Sequence, residues 1–368
     1  MKLFSCDNCQ QVLFFENSRC MNCGMNVGYC VELAKIVTLQ HQTGSSQGSV
    51  YEVFFPNQGL RHYRQCKNAS DHDACNWLVP AEQSQQFCNS CRLTEVAPDL
   101  SDTNNRIAWA GIEAAKRRLL YTLYSLKLPL SSRQEWPNEG VAFHFLRATS
   151  GEPVMTGHDE GIITLNIAEA DSAFRENMRE KMGEAYRTVL GHLRHEIGHY
   201  YWDLILKPRD TDDPIFRKWR QIFGDERHDY QAALKRYYEN GPSDQWWNNY
   251  ISAYATMHPW EDWAETWAQY LHILDGMETA SDFGWDSRQV PLPFTPFTAE
   301  QIGVPEDESD PEFLEMVNRW LQLAPALNEI ALSLGQGSLF PFVFTAAAVR
   351  KIHFVHAVVK AGLPPGRN

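Results

Sequence analysis

All nine cysteines of this 368-residue chain fall between positions 6 and 91, and their spacing limits what the first hundred residues can become. Cys6, Cys9, Cys20 and Cys23 form the pattern C-x2-C-x10-C-x2-C. Each C-x-x-C wraps as a knuckle that presents two sulfurs, and four thiolates complete a tetrahedral zinc site with no open position. The segment QVLFFEN between the knuckles reads as a short strand pair, so this unit reads as a zinc ribbon. Cys66, Cys75, Cys88 and Cys91 make a second set. Only its last two residues are a C-x-x-C, and eight residues separate the first two. A second structural zinc is the simplest account, with His62 and His72 as alternates to one cysteine. Cys30 is left over and reads as a small buried hydrophobe. Closed sites of this kind supply folding energy that a short, strand-poor segment lacks.

Composition removes several function classes. The formal charge is -13, and residues 1–100 carry seven Lys or Arg against nine Asp or Glu. That is not an electrostatic footprint for nucleic acid, so a ribbon here is expected to face a protein partner or to act as scaffold. No apolar run approaches the roughly 18 residues needed to span a bilayer, and MKLFSCDNCQ lacks the apolar core of a secretory signal. C-x-x-C pairs without an export signal favour metal in a reducing compartment, and the expectation is a cytoplasmic chain. A hydrophobic content of 43%, with 12 Trp and 14 Tyr, allows a substantial core.

A second metal pattern lies in GHLRHEIGHYYWD (191–203), where His195, Glu196 and His199 form H-E-x-x-H. Residues four apart share one helix face, so both imidazoles can reach a single ion. Glu196 lies at the metal's edge, where a carboxylate can take a proton from water. The spacing of Met182, Tyr186, Val189, Leu193, Ile197, Tyr200 and Leu204 predicts one amphipathic helix over about 182–206. His192, His195, His199 and Asp203 occupy its other face. A third ligand is expected from MHPWEDWAETWAQYLHILD (257–275), read as a second helix over about 259–275 with Pro259 in its first turn. Glu261 and Glu265 are four apart, so the first can bind metal while the second orients a histidine or the ligand. Both lie among aromatic residues, where an unpaired carboxylate is costly to bury. Asp203 is a further candidate support.

The remaining chain is mostly helical. The polar stretch 98–106 marks a boundary between residues 1–100 and 101–368. A helix is expected over about 107–128, strands over 141–146 and 161–171, and a helix from near Asp225 to Gly241. Asp225, Glu226, His228 and Asp229 read as capping and dipole features rather than ligands. A strand just before a zinc helix can accept an extended peptide along its edge, or can simply pack. Residues 276–311 read as a surface wrap, followed by a helix carrying Pro325 and a last helix near 345–361. His353 and His356 there read as packing residues. The whole reads as α+β, a double zinc ribbon followed by a helix-rich domain with a small sheet.

HEIGH followed by EDWAETWAQY resembles the H-E-x-x-H…E-x-x-A-E arrangement of gluzincin peptidases of the anthrax lethal factor and Mlc titration factor type. That resemblance implies Glu261 as third zinc ligand and Glu265 as support. It also implies a catalytic role for Tyr254, seven residues before Glu261. CDNC…CMNC, FCNSCRLTEVAPDL and the ending LFPFVFTAAAVRKIHFVH resemble a bacterial family of zinc-binding metallopeptidases with an N-terminal zinc ribbon, over nearly the whole chain. One departure is that more than sixty residues separate His199 from Glu261. The implied function is hydrolysis of peptide or protein substrates, with one catalytic and two structural zincs. The alternatives are a non-catalytic binding scaffold on a peptidase fold and a zinc hydrolase of a non-peptide amide.

Overall fold

The computed structural model describes residues 2–41, 50–56, 58–149, 151–305 and 308–363. By contacts the chain forms two compact units. One contains Met1–Tyr121, Ser131–Thr156 and Thr164–Asp171; the other contains Thr122–Leu130, Gly157–Ile163 and Ser172–Asn368.

In the first unit, β1 (Phe4–Ser5) pairs antiparallel with β2 (Val12–Leu13), and β3 (Val27–Cys30) with β4 (Lys35–Thr38). The expected strand pair within QVLFFEN is therefore a pairing of its first residues with Phe4 and Ser5. A four-stranded antiparallel sheet follows: β5 (Gln40–His41), β6 (Val50–Phe55), β7 (Gly59–Gln65) and, after the short helix α1 (Lys67–His72), β8 (Leu78–Pro80). β9 (Thr94–Val96) leads into α2 (Thr103–Ser125) and later pairs in parallel with β10 (Ala142–Leu146). Phe4, Phe15, Tyr29, Trp77 and Tyr121 form a cluster with several edge-to-face contacts, so α2 contributes to the same core as the first ribbon. Cys30 is fully buried in the neighbouring core with Val37, Tyr51 and Tyr63, as expected of a small hydrophobe.

β11 (Gly157–Asp159) turns into β12 (Ile162–Asn166) through Glu160 and Gly161, both at positive φ (43° and 82°); the second unit takes this hairpin as far as Ile163 and the first continues from Thr164. Two positive φ values are the geometry a two-residue type I′ hairpin requires. β11 is an edge strand. The expected strand over 161–171 ends early because the Asn166 side chain caps a 3-10 turn over Ile167–Ala170.

The expected helix over 182–206 is divided. α3 (Ser172–Met182) ends before Gly183, whose φ is +64°. α4 (Val189–Tyr201) begins where the Thr188 hydroxyl accepts from the Gly191 amide at 3.0 Å. Met182 and Tyr186 have the right spacing but precede this cap. Beyond Tyr201 the backbone widens into a π-turn over Trp202–Leu206, with Lys207 N donating to Trp202 O at 3.0 Å.

α5 (Pro214–Phe223) and α6 (Tyr230–Asn240) make up most of the insertion's helical content. α6 starts five residues later than expected because the Asp229 carboxylate accepts from Ala232 N at 3.0 Å, which makes Asp229 the cap. α7 (Pro259–Asp282) extends past the expected end, and α8 (Pro311–Ser333) keeps Pro325 inside it. α9 (Ala346–Ala361) buries His353 against Phe313, while His356 bonds Tyr270 and Asp310.

α4 packs on α7 at close range. A Cβ on Gly198 would lie 3.1 Å from both Ala264 Cα and Trp267 Cβ, so any larger residue would push the helices apart by a few tenths of an ångström. Trp263 Nε1 donates to the Gly198 carbonyl at 2.9 Å, joining the two helices at the same level. Arg194, 2% exposed, bonds Asp275 and lies 2.5 Å from His272 Nδ1, one turn further along.

Candidate metal centres

The two cysteine sets each converge. The ligand atoms of Cys6, Cys9, Cys20 and Cys23 lie within 4.8 Å of one another, as do those of Cys66, Cys75, Cys88 and Cys91. The Sγ–Sγ separations are 3.7 Å for Cys6–Cys23 and 3.6 Å for both Cys9–Cys20 and Cys75–Cys88. A disulfide needs about 2.05 Å, whereas the edge of a tetrahedron with zinc–sulfur bonds of about 2.3 Å is roughly 3.8 Å. The sulfurs therefore fit zinc and not each other. In the second set, backbone amides of Trp77, Cys88 and Cys91 each lie 3.4 Å from a cysteine sulfur and donate to it. The buried Arg117 adds positive charge beside Cys75 and donates to the Ala74 carbonyl at 2.7 Å. The irregular spacing arises because Cys66 begins α1 and Cys75 follows its end. His72 instead packs edge-on to Trp109, and His62 lies 3.9 Å from Glu52, so neither belongs to the cluster.

The third cluster is built by the α4–α7 contact. His195, Glu196 and His199 are buried on α4, and Glu261 stands 2% exposed in the first turn of α7. A carboxylate is favoured there by the helix dipole. His195 Nε2 and His199 Nε2 are 3.2 Å apart; Glu261 Oε2 is 2.9 Å from the first and Glu261 Oε1 is 3.5 Å from the second. With zinc–nitrogen and zinc–oxygen bonds of about 2.0–2.1 Å, a tetrahedral edge is roughly 3.3 Å, so the donor set fits the ion. Glu261 Oε2 is buried and makes no hydrogen bond despite its closeness to His195. The two atoms face a common point rather than each other. Burial alone would raise the Glu261 pKa, yet the facing imidazoles hold it well below the usual carboxylate range.

Neighbouring groups fix these ligands. His195 Nδ1 lies 2.7 Å from Glu265 Oε1, and Ser252 Oγ donates to Glu265 Oε2 at 2.6 Å. A proton held at Nδ1 leaves the Nε2 lone pair for metal. Glu265 is thus beside His195 Nδ1, and Glu261 is beside both Nε2 atoms. Trp260 lies against His199 with ring centroids 3.8 Å apart. Burial raises the Glu196 pKa, with its carboxylate 3.7 Å from His192 Nε2. Tyr254 stands beside His195 with centroids 6.1 Å apart. Nearby, the Tyr230 hydroxyl donates to Glu261 Oε1 at 2.9 Å.

Asp203 lies on the π-turn that follows α4. Its carboxylate pairs with Lys207 at 3.2 Å, and among the described residues no hydrogen bond joins it to His195 or His199. Asp225 pairs with Arg227 and Glu226 with Arg220, so the acidic group before α6 does not gather around metal.

Three contributors were not legible in the sequence. Tyr230 and Ser252 lie in the insertion, where nothing in their spacing marks them. His258 caps α7, its Nδ1 accepting from Trp260 N at 3.1 Å and its Nε2 donating to His228 O at 3.0 Å. Its place directly before Pro259 was the one available signal.

Residues 105–358 match the family described as "Putative zinc-binding metallo-peptidase", and residues 3–102 match a zinc-ribbon domain family. Uncharacterized proteins of Mycobacterium bovis and of two strains of Mycobacterium tuberculosis are each 38% identical over 365 residues, which is 99% of this chain and 97% of the relative. No solved structure matches the chain. Among the described residues no helix is long and apolar enough to cross a membrane.

Proposed function

The chain belongs to the zinc-binding metallo-peptidase family, and on that premise we propose that it hydrolyses peptide bonds at a His195–His199–Glu261 zinc site, with Glu196 as general base. The observation that carries this reading is the convergence of those three side chains' ligand atoms within 4.8 Å, beside the buried Glu196 on the helix of the two histidines. Zinc held there supplies a Lewis acid that polarises a carbonyl and lowers the pKa of water.

Everything else falls to the chain's own side chains. Glu196, its pKa raised by burial, accepts the proton of the attacking water and passes it to the leaving amine. Glu265 holds His195 in one tautomer and orientation. The Tyr254 hydroxyl is available to hydrogen-bond the oxyanion as it develops. The two four-cysteine clusters take structural zinc, giving three ions per chain. The substrate is a peptide or protein, and any partner at the ribbons is a protein, in keeping with exposed Phe14 and Met21 there.

The test is Glu196→Gln. An amide cannot take the proton, so cleavage of a library peptide that wild type cuts is expected to fall by about 10²–10⁴-fold, with zinc content unchanged. Cleavage that persists in this variant would come from a contaminant and remove the assignment. Fully zinc-loaded wild type that cuts nothing in a broad library, yet holds a cellular partner tightly, would favour a binding scaffold.

A further inference from the structure

A pocket of about 360 Å³ opens beside the proposed zinc site, entirely within the second unit. Its aromatic side is continuous with the metal ligands. Trp260, which packs on His199, also faces Tyr230 (centroids 5.9 Å) and Trp202 (6.4 Å), and Tyr230 bonds Glu261. Its polar side carries four carboxylates, Asp159, Glu160, Asp203 and Glu226, against one ammonium, that of Lys207.

Two local devices put these charges there. The type I′ turn after β11 presents Asp159 and Glu160, and it places a glutamate at a positive φ usually taken by Gly, Asn or Asp. The π-turn after α4 brings Trp202 and Asp203 to the pocket wall. Glu226 is already matched by Arg220 at 2.9 Å. Asp203 holds the Lys207 ammonium at 3.2 Å, but the Lys207 side chain is 61% exposed, and an exposed i,i+4 pair is readily exchanged. The pocket wall therefore already carries one ammonium group, held on a carboxylate.

We propose that this pocket is a specificity subsite that accepts a lysine or arginine side chain of the substrate, with the cation between the Asp159–Asp203 carboxylates and the Trp260–Trp202 rings. Carboxylates attract the charge, aromatic faces add cation–π contact, and the aliphatic stem covers apolar wall. An acidic substrate side chain at the same position would meet like charge, which costs more than the basic one gains. The net charge of -13 adds a weak long-range bias of the same sign. This inference rests on the peptidase reading for its meaning, but the pocket can be tested apart from it.

The experiment is a mixture-based peptide library cleaved by the zinc-loaded full chain and read by mass spectrometry. Lysine or arginine should be enriched at one fixed position relative to the cut bond, with a Lys-to-Glu rate ratio of at least about tenfold. In Asp159→Asn/Asp203→Asn that ratio should fall towards one. Cleavage without a basic preference, or a preference that the double variant retains, overturns the subsite. A second arm uses zinc-loaded Glu196→Gln and reads binding of Lys- and Glu-containing peptides through tryptophan fluorescence. Tighter binding of the Lys peptide, lost in the triple variant, keeps the subsite even if wild type cuts nothing. Equal binding of the two peptides sinks it whatever the cleavage result.

Discussion

The two sulfur clusters and the His-His-Glu cluster suit the same ion by opposite means. In the sulfur sites four thiolates close the tetrahedron, and each set comes from a short run of chain: residues 6–23 and 66–91. The second set is buried throughout, with amide donors to sulfur and Arg117 nearby. The His-His-Glu cluster has three donors and therefore one free face, and its ligands come from two helices more than sixty residues apart in sequence. Closure gives stability because the ion replaces a core that a small segment cannot build. Openness gives chemistry, since a fourth position left to water is what a hydrolase needs. The difference predicts that the sulfur sites govern folding and the open site governs activity.

The strongest way to break that division is Cys88→Ser. Removing one sulfur from the fully buried set should cost more than about 4 kcal/mol, read as a large drop in thermal midpoint or loss of soluble protein. His199→Ala should leave the midpoint of the zinc-ribbon unit nearly where it was. Equal losses in the two variants would erase the distinction.

Metal removal is the next largest effect. Elemental analysis should give three zinc ions per chain, and a mild chelator should take the count to two by emptying the open site first. Loss of a sulfur-bound ion before the ion of the open site would reverse the comparison.

Within the open site, Glu261→Gln should weaken zinc more than Glu265→Gln. The first removes a ligand, while the second removes the carboxylate on His195 Nδ1, a change that typically costs about 10–100-fold in metal affinity. If Glu265→Gln alone empties the site and Glu261→Gln leaves it full, the two roles must be exchanged.

The smallest effect sharpens the role of helix approach. Gly198→Ala adds a methyl 3.1 Å from Ala264 Cα, which should cost about 1–3 kcal/mol and loosen the open site's zinc by moving Glu261 away from the histidines. The sulfur-bound ions should stay. Unchanged open-site affinity in this variant would show that the helix separation is not what sets the ligand geometry.

The sequence by itself determined the ligand types and most of their groupings. C-x-x-C and H-E-x-x-H depend on distances of three and four residues, which local backbone geometry converts directly into shared sites. It also marked the second helix, through Pro259 and its aromatic stripe, and the pair of glutamates one turn apart. What it did not determine were features fixed by contacts distant in sequence. The start of α4 at Thr188 depended on a cap that the apolar rhythm of Met182 and Tyr186 concealed. The π-turn after α4, which carries Trp202 and Asp203, has no signature in local propensity. Tyr230 reached Glu261 only because the insertion folds back beside α7. Short-range chemistry repeats along the chain and can be read there; a side chain thirty residues away becomes a neighbour only when the core closes.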